Sequence, residues 1–173
     1  MKRSWFVICL LLVLVSSALS AQDPLVVFLV RHAEKVDNSR DAELSADGKT
    51  RAEELATVLR DAGLQHVHSS DFIRTRDTAA PIATRLGLQV ELYDPRDLPP
   101  LAEKLREAGG RHLIVGHSRS TPVAIELLGG DPGREIDETA EYDRLYILTF
   151  DSSGKASTVL MRYGEPFDKS EIE

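Results

Sequence analysis

Arg31 and His32 stand side by side, directly after the apolar run Leu25-Val26-Val27-Phe28-Leu29-Val30. A neutral imidazole is a nucleophile near pH 7, and an adjoining guanidinium can fix a phosphate oxygen, so the pair has the parts needed for phosphoryl transfer to nitrogen. A second histidine, His117, follows another short apolar segment, His112 to Gly116, and precedes Ser118. Arg74 closes a third polar stretch that begins at Ser69. Metal ligation explains these residues less well, because Cys9 is the sole cysteine and the histidines are not paired with carboxylates at helical spacing. Neither a metal nor another cofactor is expected.

Such residues can act together only if the elements before them bring their ends to one rim. Leu25 to Val30 is a candidate buried strand. Ser45 is a plausible N-cap for a helix with Ala52, Leu55, Ala56 and Leu59 at helical spacing, and Gly63 closes it. A short strand is expected over Gln65 to His68, then a helix from about Ile73 to Leu86 in which Pro81 marks a kink or a late start. Leu88 to Leu92 is the next candidate strand, followed by a helix from about Leu98 that stops at Gly109-Gly110. After the strand His112 to Gly116, Ser120 or Thr121 caps a helix that Gly129-Gly130 ends. Leu145 to Phe150 and Ala156 to Arg162 flank Asp151-Ser152-Ser153-Gly154 as a hairpin.

Strands alternating with helices predict an α/β three-layer sandwich: a mostly parallel central sheet, helices on both faces, and an antiparallel strand near the edge. Ligand sites in such sheets lie at the carboxyl ends of the strands. That rule gathers Arg31-His32, Ser69 to Arg74, Asp94 to Asp97 and His117-Ser118. His66 and His68, two apart on one strand face, have no third ligand and are expected to pack or to face solvent. Arg76 is expected in solvent.

Lys2 and Arg3, the apolar stretch from Trp5 to Val15, and the small residues Ser16, Ser17, Ala18 and Ser20 have the pattern of a secretory signal peptide over residues 1–20. An uncleaved membrane anchor is disfavoured by the short apolar core. The expected product is one exported domain, residues 21–173, periplasmic or extracellular, with no stable membrane association after cleavage. The formal net charge of −7 becomes two units more negative when Lys2 and Arg3 are removed. An acidic chain is a poor nucleic-acid binder, so a phosphate site must be built from a few converging cations.

Leu29-Val30-Arg31-His32-Ala33-Glu34, Ser69-Ser70-Asp71-Phe72-Ile73-Arg74-Thr75-Arg76-Asp77-Thr78-Ala79 and Val115-Gly116-His117-Ser118, in that order, resemble the histidine phosphatase superfamily, also called phosphoglycerate mutase-like. Ala33, where more familiar members have glycine, makes Ala33-Glu34-Lys35 similar to the small SixA-like bacterial branch. The resemblance implies that His32 attacks phosphorus and becomes phosphohistidine, while Arg31, Arg74 and His117 bind the phosphate oxygens; Glu34 and Ser118 are further candidates for substrate binding. Many members carry a proton-donating carboxylate between the second arginine and second histidine, or directly after that histidine. Ser118 occupies the latter position, which leaves Asp94 as the candidate donor, with Asp97 and Glu34 behind it. Taken with the signal-like segment, the resemblance implies an exported phosphatase acting on a small phosphorylated compound. Mutase chemistry, or non-catalytic capture of phosphorylated ligands, is the alternative.

Overall fold

The computed structural model describes residues 23–167, so the expected signal peptide lies outside the described residues. β1 (Val26–Arg31) is almost wholly buried, as its unbroken apolar run requires of a central strand. The elements that follow are α1 (Ala46–Val58), β2 (His66–Ser70), α2 (Ile73–Leu86), β3 (Val90–Tyr93), α3 (Pro99–Ala108), β4 (Arg111–Gly116), α4 (Ser120–Leu127), β5 (Arg144–Phe150) and β6 (Ala156–Arg162). They build a six-stranded sheet in the order β3-β2-β4-β1-β5-β6. β1 pairs in parallel with β4, and β2 pairs in parallel with β3 and β4. β5 runs antiparallel between β1 and β6.

Each helix layer covers one face. Leu55 of α1 and Ile82 of α2 pack on Phe28, Val30 and Val115. Leu105 of α3 and Ile125 of α4 pack on Leu29, Ile114 and Tyr146 across the sheet. The three-layer sandwich and its mostly parallel sheet are therefore as the alternation of elements predicts. Because α3 carries the chain to the second face, β4 enters between β2 and β1. That insertion sets the carboxyl ends of β2, β4 and β1 next to one another.

Several boundaries differ from expectation, each for a local reason. β1 runs through Arg31, which registers against Gly116 of β4. β2 continues through Ser70, because Ser69 pairs with Leu92 and Val115 and Ser70 with Tyr93. Pro81 lies inside an uninterrupted α2. Ser120 does not cap α4: Arg119 holds the cap position without a side-chain bond, and the Ser120 hydroxyl instead accepts from the His117 amide at 3.0 Å. Ser45 caps α1 as expected, accepting from Gly48 N at 3.0 Å.

At the amino ends of β2 and β4, opposite the carboxyl rim, His66, His68 and His112 stack. The His66 and His112 rings lie 4.6 Å apart. His112 Nε2 donates to Gly109 O at 2.7 Å, which leaves its Nδ1 to accept from His68 Nε2 at 3.0 Å. The packing role expected for His66 and His68 fits this arrangement, since stacked rings do not aim their lone pairs at one centre. Arg76 reaches solvent as expected, where its exposed side chain is ion-paired with Asp71.

Gly48 shows how tightly the loop after β1 meets α1. A Cβ there would stand 2.2 Å from the backbone oxygen of Glu34. Gly-to-Ala in a helix ordinarily stabilises by up to ~1 kcal/mol. Here overpacking against backbone outweighs it, and Gly48→Ala is expected to destabilise by about 1–3 kcal/mol in denaturant titration. A more stable variant would show that this contact yields freely.

Candidate active site

The His32 amide donates to Gly116 O at 2.9 Å, which ties the exits of β1 and β4 together. His32 and His117 are thereby brought to a ring separation of 5.4 Å, edge to face. His32 is 4 % exposed. Its Nδ1 lies 2.7 Å from Ala33 O, a group that can only accept, so Nδ1 carries the proton and Nε2 holds a free lone pair. Burial pushes its pKa down to about 2, and the charges of Arg31 and Arg74 and the neighbouring His117 push the same way. Neutral, tautomerically fixed and held against a strand end, this imidazole is prepared for attack rather than for carrying charge.

His117 is set by β4, α2 and β2. Arg74 Nη2 approaches its Nδ1 at 3.4 Å, and a guanidinium only donates, so Nδ1 is the acceptor. His117 Nε2 then donates to Ser70 Oγ at 2.8 Å, and Ser70 Oγ donates to Thr75 Oγ1 at 3.0 Å. Burial lowers the His117 pKa to about 4, with help from Arg74 and Arg31. A phosphate dianion beside it would reverse that bias and favour the imidazolium. Ser70 escapes a reading of motifs for nucleophiles and cations because its part is to orient another ring.

Arg31 is 3 % exposed, with most of its guanidinium already engaged. Nη1 donates to Asp137 O at 2.9 Å and Glu141 O at 3.1 Å, and Nη2 donates to Glu138 O at 2.6 Å. Its Nε is buried without a partner among the described residues, as is Arg74 Nε. Two buried, unanswered N–H donors flanking an imidazole are costly in a fold unless an acceptor uses them, and a phosphate oxygen is such an acceptor. Arg74 itself is positioned by Nη1 donating to Arg40 O at 3.0 Å and by Phe72, whose ring lies 4.6 Å beneath Cζ.

The segment 131–143 carries the Arg31 clamp. Glu141, wholly buried, accepts from Arg144 Nε at 2.8 Å, Arg134 Nη2 at 2.7 Å, Arg162 Nη1 at 2.8 Å and Asp137 N at 3.0 Å. Burial alone would raise its pKa, but these donors hold it down to about 2. No sequence motif marks this segment, although its density of acids between Arg134 and Arg144 is a signal in retrospect.

Of the other candidates, the carboxylates of Asp94 and Glu34 are engaged by Arg96 and Arg51. Asp94 makes two bonds of 3.1 Å to Arg96, lines a groove with Arg40, Phe72 and Leu92, and has no contact with His32 or His117. Its bonds to Arg96 hold it below the usual carboxylate range, which makes a poor proton donor. Glu34 Oε1 accepts from Arg51 Nε at 2.7 Å, and Arg51 continues to Tyr163 O and Glu165 O. Glu34 therefore braces α1 against the C-terminal segment. Ser118 is half-buried in a groove with Arg119 and Asp137.

His32 and His117 also set a pH dependence of stability. Unfolded histidine titrates near 6.5, above the values of about 2 and about 4 in the fold. The unfolded chain binds more protons in those windows, so stability is full above ~6.5 and is lost as pH falls, by roughly 1.4 kcal/mol per pH unit for each histidine at most. Denaturant midpoints are expected to drop between pH 7 and 5; a flat or rising midpoint would contradict the buried neutral pair.

Several known proteins are similar to this chain in sequence or in fold. A family model described as histidine phosphatase superfamily (branch 1) matches residues 27–95. Probable phosphoglycerate mutase GpmB of Escherichia fergusonii is 39 % identical over 77 residues, covering 40 % of this chain and 35 % of that protein. The Yersinia enterocolitica GpmB is 42 % identical over the same length and coverage. The chain thus spans about a third of the length of the curated relatives it matches. Among solved structures, the protein histidine phosphatase SixA complexed with tungstate superposes with a TM-score of 0.62 at 17 % identity, covering 86 % of this chain and all of SixA. The alpha-ribazole phosphatase from Shigella flexneri gives 0.62 at 16 %, covering 80 % and 96 %. Over residues 27–95 the chain is thus similar to the histidine phosphatase superfamily, and its fold is the one those solved phosphatases share.

Proposed function

We propose that this chain is an exported phosphatase that hydrolyses a small phosphorylated compound through a phosphohistidine on His32. One observation carries the reading: a buried, neutral His32 with Nε2 free stands beside His117, with the unanswered Nε donors of Arg31 and Arg74 at the same site. In the first step His32 Nε2 bonds to phosphorus as the bond to the leaving oxygen breaks. Arg31, Arg74 and a protonated His117 take up the charge on the remaining phosphate oxygens. In the second step water attacks, the P–N bond breaks and phosphate leaves. Export follows from the signal-like segment at residues 1–20, and sequencing the mature amino terminus from periplasmic and culture fractions tests it.

The names of the GpmB relatives favour a second reading, a mutase that returns the phosphoryl group to another hydroxyl. Partition between water and an added alcohol separates the two. Turnover of 4-nitrophenyl phosphate in the presence of glycerol is expected to release inorganic phosphate in equal amount to nitrophenol. Glycerol phosphate as the main product would reverse the assignment.

A further inference from the structure

The two-step reading leaves the leaving oxygen in need of a proton, and six carboxylates on the surrounding loops are already engaged. Asp94 is bonded to Arg96, Glu34 to Arg51 and Asp71 to Arg76. Asp41 accepts from Ile73 N at 2.8 Å. Asp137 caps Thr139 N at 2.8 Å, and Glu138 lies 3.8 Å from Arg119. The Ser70 hydroxyl is committed to Thr75.

The Tyr142 phenol, by contrast, is uncommitted. The Tyr142 ring centroid is 6.0 Å from that of His32, and Arg31 Cζ lies 4.0 Å over the same ring. No hydrogen bond to a described residue engages its hydroxyl, although the residue as a whole is buried. Negative charge on this oxygen would interact favourably with both Arg31 and Arg74. The seat is rigid, because the flanking residues are pinned: Glu141 by three arginines, and Asp143 by Arg162 and by the amide of Phe167 at 3.0 Å.

We propose that Tyr142 is the proton donor to the leaving group, the part that a carboxylate would otherwise play. The assignment rests on the phosphohistidine reading of His32. As the His32 Nε2–P bond forms and the bond from phosphorus to the leaving oxygen breaks, that oxygen takes the Tyr142 hydroxyl proton, and the tyrosinate is held between Arg31 and Arg74. In the second step the tyrosinate takes a proton from the attacking water, the P–N bond breaks, and the phenol is restored. A free phenol, with a pKa of about 10, is a weaker acid than a carboxylic acid but far stronger than an alcohol. It can therefore serve alkyl esters, whose alkoxides cannot leave unprotonated.

The test is the dependence of rate on the leaving group. Tyr142→Phe keeps the ring under Arg31 and removes one oxygen. Its kcat/KM is expected to fall about 100-fold or more on ethyl phosphate but only a few-fold on 4-nitrophenyl phosphate, whose leaving group needs no proton. Equal losses on both esters would assign Tyr142 a merely structural role, and undiminished turnover of ethyl phosphate would remove it as donor. The same selective loss in Asp41→Asn instead would move the role to that carboxylate and overturn the proposal. Phosphoenzyme is measured alongside, with 4-nitrophenyl phosphate. Its absence from both wild type and variant would bring down the His32 reading and the donor with it, whereas its presence with no selectivity for the leaving group would bring down the donor alone.

Discussion

Replacing His32 with alanine is expected to lower kcat for 4-nitrophenyl phosphate by about 10⁴-fold or more while the protein stays folded. The size follows from what is removed. Loss of a covalent nucleophile leaves only binding and the electrostatics of Arg31, Arg74 and His117, which cannot substitute for the missing bond to phosphorus. Retention of the fold follows from what His32 holds, because its one side-chain hydrogen bond is to the neighbouring Ala33 carbonyl. The strand contact from its amide to Gly116 O does not depend on the side chain. A cavity cost of roughly 1–3 kcal/mol is the expected penalty, partly offset because a desolvated imidazole no longer has to be buried. Steady-state kinetics and circular dichroism check both halves. A variant within tenfold of the wild-type rate would show that nucleophilic attack does not come from this ring.

The second large effect is placed outside the histidine pair. Glu141→Ala removes the carboxylate on which Arg134, Arg144 and Arg162 converge. Arg144 is buried with little else that is anionic to hold it; its other partners are the Arg134 and Glu135 carbonyls and the Tyr146 hydroxyl. Breaking a buried ion pair from one side costs about 3–5 kcal/mol, because the surviving charge is stranded. A fall in Tm of about 10 °C or more is expected for a domain of this size. Activity is expected to fall with it by about 100-fold at temperatures where the variant is still folded, since three carbonyls of this segment fix Arg31. A variant that loses stability but keeps full kcat/KM would separate the clamp from catalysis.

The parts of the site that are legible in the sequence are those delivered by regular elements. Arg31-His32 and His117 each end an apolar run, and parallel strands with both faces covered must end at a common rim, so their meeting follows from pattern alone. Arg74 is legible for the same reason, at the first turn of α2 just after β2. The Arg31 clamp is not legible, because it works through backbone carbonyls of Asp137, Glu138 and Glu141, and a carbonyl has no residue identity to read. Ser70 looks like loop filler until the strand is seen to carry it against His117. Asp94 misleads in the opposite direction. Its position after β3 is on the expected rim, but the arginine two residues on captures its carboxylate. Tyr142 reaches the pocket from a segment without regular structure, and only the arginine network beneath it explains why it is held there.

Covalent capture of the intermediate tests the account most directly. Wild-type protein turning over radiolabelled 4-nitrophenyl phosphate is denatured in alkali, where phosphohistidine survives, and the labelled peptide is identified by mass spectrometry. The expected result is a label that is stable in alkali, lost in acid, carried on the peptide containing His32, and missing from His32→Ala. Turnover without any label, or a label that persists in His32→Ala, would contradict it.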